Sequence, residues 1–216
     1  MTTRPLRRYA YCADGPEIYR ESFAIVRAET DLSGIPDDAR HLAVRMVHAS
    51  GQPDLVQDMR FHPDLVSAGR AALLAGAPLF VDSMMVSAGI TRSRLPAGNE
   101  VICHLRDHRV EQLAAAWGTT RSAAAVSLWG DELEGAVVAI GNAPTALFHL
   151  LEWICEGGPR PAAIIGVPVG FVGSAESKLA LIQHPGQIPY LVVRGRRGGS
   201  ALCASALNAL ARDDEL

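Results

Sequence analysis

Five near-continuous apolar runs, each followed by a turn and then a helical stretch, occupy the last two-thirds of this 216-residue chain. They are APLFVD (77–82), EVICHL (100–105), GAVVAIGN (135–142), PAAIIGVPV (161–169) and PYLVVRG (189–195). A strand that is apolar on both faces has to be covered on both faces, so these runs predict an α/β fold with a parallel five-stranded sheet. Right-handed crossovers gather every post-strand turn of such a sheet at one edge, where ligand pockets form.

Upstream the pattern is helical. Ile18, Phe23, Ile25 and Val26 give an apolar face to residues 17–31, and Gly34 and Pro36 interrupt it. A second helix carries Leu42, Val44, Met46 and Val47, with Gly51 placed to end it. A third runs from Pro63 to Ala75, and an extra one over 119–129 lies between the second and third strands. No linker or repeat divides the chain, so one domain over 1–216 is expected.

Composition narrows the function classes. Charged residues are 20%, the net charge is −3 and aromatics are 6%, which supplies neither a general pull toward nucleic acid nor a stacking stripe. The apolar share is 49%, yet no run approaches a membrane span. MTTRPLRRYAYC lacks the apolar segment of a secretion signal. Cys12, Cys103, Cys155 and Cys203 are scattered, as reduced and mostly buried thiols would be. A cytoplasmic location is the expectation.

The chemistry-bearing candidates lie at helix ends and post-strand turns. His48, in VRMVHASG, falls in the last turn of its helix, where carbonyl ends favour the imidazolium. It reads either as a cap or as a proton donor. GFVGS, with Ser174 opening a helix, is either a tight turn or an anion site. RGRRGGS sets Arg194, Arg196 and Arg197 beside glycines, as a solvated basic turn or a polyanion site. Arg121 opposes the dipole of the helix it starts, which points to a carboxylate partner. His104 and His108 would share a metal only on a continuous helix, and with His104 expected on a strand no metal site is read. Neither a dinucleotide nor a Walker fingerprint is present, and no cofactor is expected.

The strings IYRESFAIVRAE, VRMVHASG, AGAPLFVDSMMVSAGIT, TTRSAAA, VAIGNAPTALF, GVPVGFVGSAESK and VRGRRGGSA resemble the precorrin-8X methylmutases of cobalamin biosynthesis over nearly the whole chain. The resemblance implies a flavodoxin-like three-layer α/β/α fold with extra N-terminal helices, a homodimer, and no cofactor. It implies an intramolecular transfer of a methyl group from C-11 to C-12 of a polycarboxylate tetrapyrrole, giving hydrogenobyrinate. It assigns the acid to His48 and a substrate contact to Ser22, one turn after Tyr19. Arg121, Arg194, Arg196 and Ser174 would then meet the acetate and propionate arms. Met84 and Met85 could cover the ring, although Met84 stands where this family usually carries a polar residue. A non-catalytic tetrapyrrole carrier and a cobalt-precorrin-8 methylmutase are the competing readings.

Overall fold

A computed structural model describes residues 2, 3, 5, 6 and 8–212. Two helices come first, α1 (Gly15–Glu29) and α2 (Arg40–Ser50). They are followed by β1 (Met59–Phe61), α3 (Leu65–Leu74), β2 (Leu79–Val81), α4 (Met84–Gly89) and β3 (Val101–Ile102). Next are α5 (Arg109–Trp117), α6 (Arg121–Val126), β4 (Val137–Ile140), α7 (Pro144–Cys155) and β5 (Ala163–Gly166). The chain closes with α8 (Ser174–Ile182), β6 (Tyr190–Val193) and α9 (Ser200–Ala211).

The sheet order is β1-β6-β5-β4-β2-β3. The five strands read from the sequence are parallel to one another, but the sheet has six strands, not five. The sixth, β1, runs antiparallel along the outer edge of β6, with Met59 opposite Val193 and Phe61 opposite Leu191. Three residues cannot display an alternating pattern, and Arg60 at their centre breaks any apolar run. Such an edge strand exists only because β6 offers it a partner.

Elsewhere the runs shorten. EVICHL contributes only Val101 and Ile102, and His104–Arg106 forms a 3-10 turn, so His104 is not on a strand. The expected helix over 119–129 ends at Val126 and continues as a 3-10 segment to Leu133, broken at Gly130 (φ 59°).

Successive strand residues fall into opposite cores, as a two-residue period requires. Leu79, Val81, Val137, Ala139, Ala163 and Ile165 pack against α2, α3 and α9 through Leu42, Met46, Leu65, Leu73, Leu207 and Leu210. Phe80, Val138, Ile140 and Ile164 face Val126, Leu147, Leu150 and Leu181 on the other side. Burying one side chain of this size contributes about 1.5–3 kcal/mol, so each helix layer is held by several independent contacts.

At the carboxyl ends of the strands, β2 and β4 are joined by one carboxylate. Asp82, 4% exposed, accepts hydrogen bonds from the backbone N–H groups of Gly141 (3.0 Å), Asn142 (2.9 Å) and Ala143 (2.7 Å). Burial pushes its carboxyl above the usual range, and the three donors pull it back. The carboxylate fixes the turn that opens α7. We predict that Asp82→Ala lowers unfolding stability by on the order of 3 kcal/mol, because one buried and two partly buried backbone donors lose their acceptor. Urea titration of the two proteins checks this.

Candidate active site

α2 ends at Ser50 because Gly51 takes the left-handed conformation (φ 65°), its N–H closing on the Val47 carbonyl. That leaves His48 in the final turn, facing α1. Tyr19, Ser22 and Phe23 lie at i, i+3 and i+4 on α1, so one face presents all three. The Ser22 hydroxyl is 2.8 Å from His48 Nδ1. The imidazole lies 4.8 Å from the Phe23 ring and 5.6 Å from the Tyr19 ring, centroid to centroid.

The helix end is not the dominant influence on His48. The ring is pushed below the ordinary imidazole value of 6.5, first by burial against α1 and then by the positive charge of Arg45. A helix terminus contributes only about 0.3–1 kcal/mol, and here it is outweighed. Ser22 suits either state of the ring. Its hydroxyl donates to a neutral Nδ1 and accepts from a protonated one. Nε2 has no hydrogen-bond partner among the described residues.

Two clefts flank the end of α2. One of about 360 Å³ contains His48 and Ser22, with Ile18, Ile25, Glu21 and Glu29 around them. The other, about 410 Å³, begins at Ala49 and Ser50 and reaches Val169, Phe171, Arg196 and Leu202. α2 runs antiparallel to α9, since His41 bonds the Ala209 carbonyl (3.0 Å) while Ala49 shares a cleft with Ala201. His48 therefore sits at the sheet edge that gathers the turns after β5 and β6.

The three arginines of the RGRRGG turn have different surroundings. Arg197 donates to Asp54 (2.7 Å) and to Asp58, so it is committed within the fold. Arg194 is half-exposed at 3.8 Å from Asp58. Arg196 lies over the exposed Phe171 ring, 5.1 Å from its centroid, at the cleft rim. Gly198 lets the turn close, because a Cβ there would meet the Val167 and Pro168 carbonyl oxygens at 2.3 and 2.5 Å.

Other expected site residues are spread out or occupied. Ser174 does not face a cleft: it is 1% exposed and its hydroxyl donates to the Pro168 carbonyl (2.9 Å), with Gly173 rather than Ser174 at the cap position. Its role is to hold the turn after β5. Arg121 has a backbone partner, the Leu105 carbonyl (3.3 Å), in place of the expected carboxylate. It belongs beside β3, three strand spacings from β5, or roughly 14 Å. Met84 and Met85 are exposed at the start of α4. Among the described residues no cluster of three or more His, Cys, Asp or Glu side chains could hold a metal. All four cysteines are free thiols, but Cys12 and Cys155 are exposed rather than buried.

The residue that sequence reasoning missed is Lys178. It is fully buried, and its ammonium donates to the carbonyls of Gly195 (2.9 Å) and Arg197 (2.6 Å), pinning the arginine turn from inside. Its signal was available: Ser174, Ser177, Lys178 and Leu181 form the buried stripe of α8, so the lysine occupies a core position.

The precorrin-8X methylmutase family model matches residues 17–213. This chain belongs to that family. A precorrin-8X methylmutase of Sinorhizobium sp. is 60% identical over 204 residues, covering 94% of this chain and 97% of the relative. One from Pseudomonas aeruginosa is 57% identical over 205 residues, covering 95% and 99%. A cobalt-precorrin-8 methylmutase of Priestia megaterium is 35% identical over 195 residues, covering 90% and 86%. The solved precorrin-8X methylmutase of Thermus thermophilus superposes with a TM-score of 0.83 at 41% identity, over 92% of this chain and 95% of that one.

Burial lowers Lys178 to about 8 from 10.5 against a smaller opposing pull from Asp58. Between those values the unfolded chain holds a proton that the folded chain has released, so this group favours folding increasingly as pH rises. We predict that the stability difference between the protein and Lys178→Met grows from pH 8 to pH 10.5, measured by urea unfolding at each pH.

Proposed function

We propose that the chain is a methylmutase that moves a methyl group from C-11 to C-12 of precorrin-8X, giving hydrogenobyrinate without a cofactor. The observation that carries this reading is His48, whose Nδ1 is fixed by Ser22 and whose Nε2 has no partner among the described residues, in a cleft that adjoins, across the end of α2, a second cleft rimmed by Arg196 and Phe171. The 60% identity to an enzyme of that name supports it.

His48 in its protonated form hands a proton from Nε2 to a ring nitrogen of the substrate. The ring then draws electrons toward that side, and the C-11 to methyl bond breaks as the C-12 to methyl bond forms. The ring nitrogen then returns its proton to the neutral His48 Nε2, which restores a neutral conjugated corrin and the acid together, so the net change is an isomerisation. A depressed imidazole is a stronger acid once protonated. The substrate's own carboxylates supply negative charge that favours protonation in the complex.

Arg196 and Arg194 would receive carboxylate arms, while Phe171, Val169 and the exposed methionines present apolar surface to the ring. Arg121, on the far side of the sheet edge, would meet an arm on the opposite rim. Tyr19 closes one side of His48.

We read the chain as one domain with a flavodoxin-like arrangement of its five parallel strands and β1 added at the edge. Ile18, Tyr19 and Ile25 on α1, with Phe171 and Val172, leave apolar side chains exposed that a homodimer would cover. Among the described residues no helix is long and apolar enough to cross a membrane. The identities of 60% and 57% to precorrin-8X enzymes, against 35% to a cobalt-precorrin-8 enzyme, favour the metal-free substrate.

The test is an absorbance time course with precorrin-8X, run beside His48→Ala. We expect the hydrogenobyrinate spectrum from the unmodified protein and loss of at least 100-fold in rate for the variant. Binding without conversion would instead indicate a carrier or a cobalt-containing substrate. In the active protein, kcat/KM should fall with rising pH through a midpoint below 6.5, because the free imidazole is the depressed group. Ser22→Ala should lower kcat by roughly tenfold with little change in KM, the loss of one hydrogen bond to a charged ring.

A further inference from the structure

Lys178 is fully buried and takes no part in the proton transfer, yet its two acceptors bracket a single residue. Its ammonium donates to the carbonyls of Gly195 (2.9 Å) and Arg197 (2.6 Å), one on each side of Arg196. The Arg196 carbonyl between them accepts from the Gly170 N–H (3.2 Å), which belongs to the turn after β5. Three consecutive carbonyls are thus held, two from beneath and one from the neighbouring turn. The same helix grips both turns, because Ser174, one turn before Lys178 on α8, donates to the Pro168 carbonyl (2.9 Å). The Gly199 N–H joins the two turns again at the Val167 carbonyl (2.8 Å).

On this fixed backbone the side chains diverge. Arg197 turns to Asp54 and Asp58. Arg196 is exposed in the cleft that Ala49 and Ser50 border, its guanidinium 5.1 Å from the centroid of the Phe171 ring. A cation over an exposed ring is weakly held, so the direction of Arg196 is set mainly by its backbone. Among the described residues no carboxylate pairs with Lys178, and burying an unpaired ammonium is costly. An apolar side chain of the same length would fill the space without that desolvation. What the charge adds is a pair of strong hydrogen bonds to the backbone around Arg196.

We propose that Lys178 is a positioning residue for substrate recognition: from inside the fold it aims Arg196 at a carboxylate arm of the tetrapyrrole. This rests on the methylmutase reading of the site. An arginine fixed before the ligand arrives loses little freedom on binding, which is how preorganisation raises affinity. His48 lies in the other cleft, across the end of α2, so Lys178 acts on binding and leaves the proton transfer alone.

The first measurement needs no ligand. The Arg196 side chain lies over the Phe171 ring, so NMR should show its protons displaced by the ring current, with Arg196→Lys identifying the resonances. We expect that displacement to collapse in Lys178→Met, as it must in Phe171→Leu. The second measurement is kinetic, with precorrin-8X. Lys178→Met should raise KM about tenfold, the loss of one charge-assisted contact, with kcat changed by less than about twofold. In an Arg196→Ala background the same substitution should leave KM within about twofold, because it acts through that arginine. Lys178→Gln, one atom shorter but still a donor, should fall between the two proteins, and it replaces Lys178→Met should that variant fail to fold. An unmoved ring-current displacement in a folded Lys178 variant overturns the proposal. So does a rise in KM of equal size with and without Arg196, or a loss confined to kcat, since Lys178 would then act through general packing. Failure to convert precorrin-8X would count against the methylmutase reading alone, and the NMR comparison would still decide whether Lys178 orients Arg196.

Discussion

The central strands of this sheet expose almost nothing to solvent on either face, and the rest of the architecture follows from that requirement. Val137 to Ile140 and Ala163 to Ile165 are fully buried, and adjacent residues belong to different cores. Helices must therefore cover both sides, which forces each crossover over a face and sends the connecting turns to the ends. The site is assembled from what is left at the carboxyl edge: the end of α2, the turn after β5 and the turn after β6. Asp82 ties β2 to the turn after β4 at the point where the strand order reverses, so this edge is fixed where its elements diverge.

Charge placement around the site shows how burial and pairing divide the work. Lys178, inside the fold, and Asp54 and Asp58, at its surface, hold the RGRRGG turn from opposite sides, and Arg197 is consumed in that support. What remains for a ligand is Arg196 on Phe171 and the half-exposed Arg194. A basic turn with three arginines is thus two structures in one, an anchor and a rim. At His48 the same balance runs the other way. Burial and Arg45 depress the ring, and the helix end that favours its charge is too weak to prevail.

Much of this was legible in the chain. The five parallel strands were readable because two-sided burial demands unbroken apolar runs, and Gly51 after VRMVHAS marked the end of α2 beside His48. β1 was not readable, because three residues around Arg60 become a strand only when β6 lies next to them. His104 was misplaced for the converse reason, since EVICHL looks continuous although the ladder ends at Ile102. The contact of His48 with Ser22 was not readable from spacing, because a helix terminus is a local feature whereas α1 meets the ring from 26 residues away. Ser174 was misread likewise: nothing local reveals that the Pro168 carbonyl takes its hydroxyl.

The sequence by itself determined the parallel sheet through apolar periodicity, and its resemblance to a known family, carried by strings such as VRMVHASG and VAIGNAPTALF, pointed to the family and to His48 as the candidate acid. Tertiary structure decided which side chains remain available. It spent Arg197 and Ser174 on the fold, sank Lys178 beneath the arginine turn and brought Tyr19, Ser22 and Phe23 against His48. It also lowered the proton affinity of that ring by burying it. These outcomes depend on which groups lose water and which gain partners, and both are fixed only when distant segments meet.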